Sequence, residues 1–341
     1  MSNHCKILKS LLLASFLMNA LTPGAITAQE SSSLDPALVA KAQAGDVTAQ
    51  YKLAIDYYVG QHGAPKDYKQ AAAWARKAAE QGDPGAQTLL GALYTKGDGI
   101  PQSYTQSIAW YRKAAEQGSP WAQTALGEGY LNGEGVHQDY AEAMVWSRKA
   151  AEQGNAQAQF NLSVMYHNGL GVPKDDAEAA AWSRKAAELG DADAQLNLGT
   201  FYDNGQGVPQ DYTEAASWYR KAAEQGVAEA EYDIGLDYYD GRGVPKDRSQ
   251  AAALYLKAAE QGFVQAQYNL GILCGHGWGV PQNYAEAYFW LNIAASHRLD
   301  GIDVAKARDE AAAHLSRSVL AQTQTRARKW VADHPSKTSP E

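Results

Sequence analysis

Cysteine is almost absent from this chain, which has only Cys5 and Cys274 among 341 residues. A disulfide framework of the kind that staples small secreted domains is therefore excluded. Cys274 has no second cysteine and no regularly spaced histidine to complete a metal site, so we expect a small buried apolar group there. The sequence predicts no metal site and no cofactor.

Basic residues are also too few to balance the acids. The chain has 30 Lys and Arg against 38 Asp and Glu, a net charge of −8. An acidic surface repels polyanions, which argues against nucleic acid or anionic lipid as the main partner. A basic protein segment is the better-tolerated partner.

Catalytic motifs are missing as well. The histidines show no His-Glu-x-x-His spacing, and the Gly-x-Gly loops lack the later glycine and the preceding strand of a dinucleotide site. No phosphate-binding loop and no Ser-x-x-Lys nucleophile motif occurs. The sequence therefore predicts no catalytic residues.

No apolar run is long enough to span a bilayer, which takes about 20 residues. The run over 11–21 follows Lys6 and Lys9 and precedes Pro23-Gly24 and small residues up to Ala28. This order predicts a secretory signal peptide over 1–28, the alternative being an uncleaved membrane-associated helix. Cleavage removes two lysines and no acids, so the mature charge is about −10 (−8 − 2). We expect a periplasmic or secreted protein that does not insert into the membrane after cleavage.

What the chain has in abundance is repetition. A Lys-Ala-Ala-Glu-Gln-Gly block recurs every 36 residues, with Leu189 for Gln in the fourth copy; its glycines are Gly82, Gly118, Gly154, Gly190, Gly226 and Gly262. A fixed period of this size predicts an array of small units that bury their apolar faces only against their neighbours. Seven units begin at Gly45 and at these six glycines, and positions are counted from each glycine as position one.

Each unit predicts two helices. Helix A has apolar and small residues three and four apart, and a loop with two glycines and a proline follows it. Helix B opens with a capping residue and, three positions later, Glu or Gln, in all seven units. Recurring aromatic residues, the helix A tyrosine and the helix B tryptophan, are predicted to pack between repeats and not to form a ligand platform. Asp176 and Arg248, which replace a loop tyrosine, are expected to loosen the loop packing.

These motifs carry a family resemblance. Leu-Gly-x-x-Tyr in helix A, Gly-x-Gly-Val-Pro-Gln-Asp-Tyr in the loop and Trp-Tyr-Arg-Lys-Ala-Ala-Glu-Gln-Gly in helix B resemble Sel1-like repeats, relatives of the tetratricopeptide repeat. The resemblance runs from Gly45 to about Ser296. It implies an all-α, right-handed α-α superhelical solenoid of about seven 36-residue helix-pair repeats, and an adaptor that binds proteins.

The predicted organisation has five segments. They are a signal peptide (1–28), an N-terminal capping helix (29–44), seven repeats (45–299), C-terminal capping helices (300–333) and a disordered tail (334–341). Asp35-Pro36 predicts the start of the first capping helix, and Asp303 and Ser316 predict the starts of the last two.

Binding is expected where the repeat varies and faces away from the packed residues. At about 100° per residue, positions four, eight, eleven and fifteen of helix A share one side, here called the helix A stripe, which we expect to line the concave face. Position eight is often asparagine, whose amide suits the backbone of an extended peptide, and the alternative is ordinary solvated polarity. Trp121 at position four and Trp278 in the last loop stand outside the repeated tryptophan slot. Each either anchors an interface or folds over a neighbouring repeat.

Acidic residues make helix A negative in the middle and later units: Glu128, Asp193, Asp203, Glu229, Asp233 and Asp237. They suit a basic segment, although solvation is the alternative. The predicted partner-binding residues are Trp121, Asn161, Asn197, Asp233, Asn269 and Trp278.

The sequence thus favours a non-enzymatic interaction scaffold of the bacterial envelope, binding a protein or peptide on the helix A face; its oligomeric state is left open. One alternative is a cell-wall enzyme, because some cysteine-rich members of the resembled family have been described as β-lactamases or penicillin-binding proteins. This chain lacks their paired cysteines and has no Lys-Thr-Gly motif. The other alternative is a purely structural spacer.

Overall fold

The computed structural model describes residues 34–297, 299 and 301–334. The predicted signal peptide and the tail beyond His334 lie outside these residues, so both remain predictions. Within the described residues the chain forms 17 α-helices and no β-strand, which confirms the all-α prediction. The chain divides between Trp182 and Ser183 into two compact units, here called the N-terminal part and the C-terminal part.

The N-terminal part is a series of helix pairs. Its helices are α1 (Pro36–Gln43), α2 (Val47–Val59), α3 (Tyr68–Glu80), α4 (Pro84–Lys96), α5 (Tyr104–Glu116), α6 (Pro120–Asn132), α7 (Tyr140–Glu152), α8 (Ala156–Asn168) and the beginning of α9 (Asp176–Glu188). The A and B helices of one repeat pack together, as α2 with α3, α4 with α5, and α6 with α7. The first helix, α1, packs on α2, where the Gln50 side-chain amide donates to the Ala42 carbonyl at 3.0 Å.

The C-terminal part continues the same pairing. Its helices after α9 are α10 (Ala192–Asn204), α11 (Tyr212–Glu224), α12 (Ala228–Asp240), α13 (Arg248–Glu260), α14 (Val264–His276), α15 (Tyr284–Ala294), α16 (Val304–Ala313) and α17 (Arg317–Asp333). The last two helices pack on α15. There Trp330 meets Trp290 edge-on at 5.9 Å between ring centroids, and Gln324 donates to the Tyr288 hydroxyl at 3.1 Å. No described helix has both the length and the apolar character that crossing a membrane requires.

The predicted helix B caps are confirmed, with one difference. Asp67, for example, accepts hydrogen bonds from the backbone N–H groups of Lys69 and Gln70 at 2.9 and 3.1 Å. Its own backbone N–H donates to the carbonyl of Tyr57, at the tyrosine slot of helix A, at 2.9 Å. The same bond recurs from Ser103, Asp139, Asp175, Asp211, Asp247 and Asn283. Each loop is thus hydrogen-bonded to its own helix A through the backbone N–H of the capping residue. In a capping box the Glu or Gln side chain usually accepts from this N–H.

The repeated aromatic residues pack as predicted, but to unequal depth. The tryptophan slot is buried at Trp182, Trp218 and Trp290 and half-buried at Trp74, Trp110 and Trp146. Over each half-buried ring lies the ammonium group of the lysine three residues later, 4.0 to 4.1 Å from the ring centroid. An arginine of helix B also donates to the next tyrosine-slot hydroxyl, as Arg76 does to Tyr94 at 2.7 Å. These contacts join one repeat to the next and leave the tryptophans no free platform.

In five of the described loops the second glycine meets the backbone of the preceding repeat. Gly135 has φ +73°, and a Cβ added to it would lie 2.3 Å from the Tyr104 carbonyl oxygen. Four other loops repeat this approach, at Gly99, Gly171, Gly243 and Gly279. Only glycine combines that backbone conformation with that close a contact.

The expectation that Asp176 and Arg248 loosen their loops is wrong, because both gain new partners. The His167 ring nitrogen lies 2.7 Å from the Asp176 carboxylate. The Arg248 guanidinium lies over the Tyr239 and Trp278 rings at 5.4 and 4.9 Å. A charge therefore replaces the lost aromatic contact in both loops.

Cys274 is buried, as predicted. Burial raises the pKa of its thiol to about 11, and the nearby Glu286 adds to the shift. The thiol is therefore protonated at neutral pH and a poor nucleophile.

Candidate interaction surface

The helix A stripe of the N-terminal part is less open than the sequence predicted. Asn161 at position eight of α8 is fully buried. Its side-chain amide donates to Glu128 on α6 at 3.1 Å and accepts from Gln157 at 3.2 Å. The prediction that Asn161 faces outward is wrong, because the side chain fills the contact between two neighbouring A helices.

Burial has a second consequence in this contact. Loss of hydration raises the pKa of Glu128 to about 7, although the Asn161 hydrogen bond opposes the shift. A carboxylate that titrates near neutrality therefore lies between two repeats. The acidic residue type is visible in the sequence, but its burial is not.

The two asparagines of the C-terminal part are half-buried and face neighbouring side chains. The Asn197 amide donates to the Ser183 hydroxyl at 3.1 Å, and Asn269 lies beside the Tyr232 and Tyr255 hydroxyls. The picture of a free asparagine ladder is therefore wrong for both. Position eight acts first as an inter-helix contact.

The two unusual tryptophans are also half-buried. Trp121 lies in the first turn of α6. Trp278 stacks on His276 with ring centroids 4.4 Å apart and receives the Arg248 guanidinium on its ring. Trp278 therefore folds over a neighbouring repeat, which is the second of the two alternatives that the sequence left open.

Acidic side chains of α10 and α12 form a polar cluster near the helix A stripe. We define the acidic cluster as Asp203, Asp233 and Asp237. Arg242 forms ion pairs with Asp237 at 3.2 Å and with Asp203 at 3.7 Å. Asp237 is fully buried, and apart from Arg242 its carboxylate has no hydrogen-bond donor among the described residues. One guanidinium therefore faces three carboxyl groups.

Desolvation controls the protonation of this cluster. It raises the pKa of Asp233 to about 8, with Glu229, Asp237 and Asp203 adding to the shift. It also raises the pKa of Asp237 to about 7, against the opposing effect of Arg242. At neutral pH the cluster holds protons that an arriving cationic group would release. Among the described residues no three His, Cys, Asp or Glu are placed to hold a metal ion.

The raised pKa values of these carboxyl groups predict that the free energy of unfolding falls as pH rises. For Glu128, Asp233 and Asp237 the folded pKa lies above the unfolded value of 3.8 or 4.5. The native state therefore binds more protons than the unfolded state between about pH 4 and pH 8, and the free energy of unfolding decreases across that window. We expect Tm to be lower at pH 8 than at pH 5 by about 5 °C, measured by circular dichroism. The Asp233→Asn variant should show a smaller drop, and an unchanged or rising Tm would contradict the burial of these charges.

Comparison with known proteins gives a consistent result. The family model for the Sel1 repeat matches seven times, at 47–83, 84–119, 122–155, 156–191, 192–227, 228–263 and 264–299. The solved structure of a Sel1 repeat protein from Oxalobacter formigenes is 37% identical and covers 79% of this chain and 77% of its own, with a TM-score of 0.63.

Two other matches extend the comparison. A protective antigen present in uropathogenic Escherichia coli strains, whose crystal structure displays an SLR fold, is 28% identical, covers 89% of this chain and 90% of its own, and has a TM-score of 0.50. The component HRD3A of an ERAD-associated E3 ubiquitin-protein ligase from Arabidopsis thaliana is 39% identical over 57 residues. That match spans 17% of this chain and only 8% of the relative.

Proposed function

The chain belongs to the Sel1 repeat family, and we propose that it is a non-catalytic scaffold of the bacterial envelope that binds a protein or peptide through its helix A stripe. Sel1 repeat proteins are generally protein-interaction scaffolds. Their paired helices form a solenoid that exposes one long surface per helix layer. Membership of the family thus supports protein binding as the function. The choice of the binding face and of a basic partner depends on individual residues.

Asp233, the member of the acidic cluster that stands on the helix A stripe, is the observation that carries the choice of face. Asp233 at position eight and Asp237 at position twelve lie one helical turn apart on α12, and Asp203 approaches from the neighbouring α10. Arg242 forms ion pairs with Asp203 and Asp237. A lysine or arginine of a partner that reached the half-buried Asp233 would displace its proton and ionise the carboxyl group. This chemistry favours a partner with a basic segment.

The proposed location rests on the N-terminal sequence alone. Residues 1–28 have the basic start, apolar centre and small-residue end of a secretory signal. Fractionation of the source bacterium should recover a mature chain that starts near residue 29 outside the cytoplasm. Recovery of the full-length chain in the cytoplasm would contradict the proposed location.

A matched pair of variants tests the proposed face. Asp233→Asn on α12 and Glu224→Gln on the exposed surface of α11 remove the same formal charge. We expect Asp233→Asn to recover about five-fold less partner from envelope extract, because the cluster loses the carboxylate that a bound cation would ionise. The yield of each captured protein, measured by quantitative mass spectrometry, is compared with that of Glu224→Gln.

Equal recovery by both variants would contradict binding at the acidic cluster. If neither variant nor the unaltered protein captured any protein above background, the structural-spacer alternative would replace the scaffold. Hydrolysis of a β-lactam reporter by the purified chain would instead favour the enzyme.

A further inference from the structure

A pocket of about 160 Å³ lies in the C-terminal part, between α14 and α15 of the last repeat and the capping helix α16. Its floor includes Gly275 on α14, Ala287 and Leu291 on α15, and Ala311 on α16. Three of these residues are buried and Gly275 is half-buried. A cavity of about 150 Å³ can hold a six-carbon ring, so this pocket is large enough for one long side chain.

The pocket exists because one side chain is missing. Gly275 stands at position fourteen of helix A, where the other units carry Tyr58, Thr95, Leu131, His167, Asp203 and Tyr239. A Cβ added to Gly275 would make only one contact, with the Ala287 Cβ at 3.5 Å. Its φ is not in the left-handed region, so neither strain nor close packing requires a glycine there. The missing side chain leaves open space beside Ala287 on α15.

The rim of the pocket is polar and aromatic. Glu310, His276 and His314 are exposed there. His314 stacks on Tyr284 with ring centroids 3.9 Å apart and planes 9° apart, which makes a flat aromatic wall. Among the residues that the structure describes, no lysine or arginine lines the pocket. Of the described lining residues, Glu310 is therefore the one with a formal charge, apart from any protonated histidine.

We propose that this pocket receives a lysine or arginine side chain of a protein partner, with its aliphatic stem on Leu291 and Ala311 and its cationic group at Glu310. The apolar floor suits the methylene stem of either residue. The aromatic wall and the carboxylate both attract the cationic end. An anion would be repelled by Glu310, and an uncharged aliphatic side chain would desolvate that carboxylate without compensation.

This inference rests on the proposed scaffold function and adds a second contact point for a basic partner. The acidic cluster lies on α10 and α12, whereas the pocket lies on α14, α15 and α16. A basic segment that occupied both would gain affinity from two linked contacts. The pocket can nevertheless be tested by itself.

The test uses three small probes on the full-length chain. They are the N-acetyl methylamides of lysine, arginine and norleucine, the last having the aliphatic stem without the charge. Two-dimensional 1H–15N spectra should show saturable shifts of the Gly275 and Ala311 amides with the lysine or arginine probe, with Kd near 1 mM. The norleucine probe should bind at least about five-fold more weakly. Absence of saturable shifts, or equal binding of norleucine, would overturn the proposal.

Matched variants locate the binding. Gly275→Leu fills the pocket with the residue that unit three carries as Leu131, and it should weaken both cationic probes about tenfold or more. Glu310→Gln keeps the shape and should reduce both to the affinity of norleucine. Asp309→Asn makes the same formal change one residue away, outside the pocket lining, and should change nothing.

Unchanged binding by Gly275→Leu, with its fold verified by an unaltered far-UV spectrum, would overturn the assignment. The scaffold proposal is independent of this outcome, because the partner capture that tests it depends on Asp233 and not on the probes. If the probes do not bind but the partner is still captured, only the pocket proposal fails. If the probes bind but no partner is captured, only the scaffold proposal fails.

Discussion

The Gly135→Ala variant should lose about 3 kcal/mol of unfolding free energy, the largest effect that we expect from a single methyl group. Two costs add at this position. The backbone has φ +73°, where an L side chain costs about 1 to 2 kcal/mol. The new Cβ would also lie 2.3 Å from the Tyr104 carbonyl oxygen, so the loop and α5 must move apart. Urea unfolding followed by far-UV circular dichroism measures the loss.

Gly118→Ala separates these two costs. Gly118 also has positive φ, +90°, but a Cβ there meets nothing within 4 Å. We expect this control to lose only about 1 kcal/mol, since backbone strain acts alone. Equal losses from the two variants would show that the loop does not depend on its contact with the preceding repeat.

Replacing Arg242 with leucine should destabilise the C-terminal part by about 2 kcal/mol at pH 8. The guanidinium is the ion-pair partner of the fully buried Asp237, and its removal leaves that carboxylate uncompensated. Because desolvation already raises the pKa of Asp237 to about 7, the carboxyl group can be protonated at pH 5. The loss should therefore be much smaller at pH 5 than at pH 8, which thermal melts at the two pH values measure.

Arg220→Leu is the control for Arg242. The Arg220 guanidinium donates to the exposed Tyr238 hydroxyl at 3.3 Å. Its removal takes away a positive charge without uncovering a buried carboxylate. We expect a loss below about 1 kcal/mol with little pH dependence. A pH-independent loss for Arg242→Leu as well would contradict the role assigned to the acidic cluster.

Most of the fold could be predicted from the sequence because the repeat reports each local feature several times. The helix B caps, such as Asp67 and Asp139, appear at a constant spacing and are found in the structure. The loops were harder, since single-residue departures have no second copy. The contact of Arg248 with the Trp278 ring could not be predicted from the residue types, because the two residues belong to different repeats that only folding brings together.

The interaction surface was predicted less well. Helical periodicity places Asn161 on the same side of its helix as other polar residues, but it does not give the distance to the next A helix. In the structure that helix brings Glu128 to 3.1 Å, and the asparagine is buried. The sequence did identify Asp233 as an acidic position on the stripe. It could not show the burial that raises its pKa to about 8 or the partial compensation by Arg242.

Site-specific photo-crosslinking is the sharpest measurement of binding through the helix A stripe. A benzoylphenylalanine at the exposed Asp240, on the stripe of α12, is compared with one at the exposed Glu224 on α11. We expect irradiation in envelope extract to yield a discrete protein adduct from position 240 and none from position 224. Equal adducts from both positions, or an adduct from position 224 alone, would contradict it.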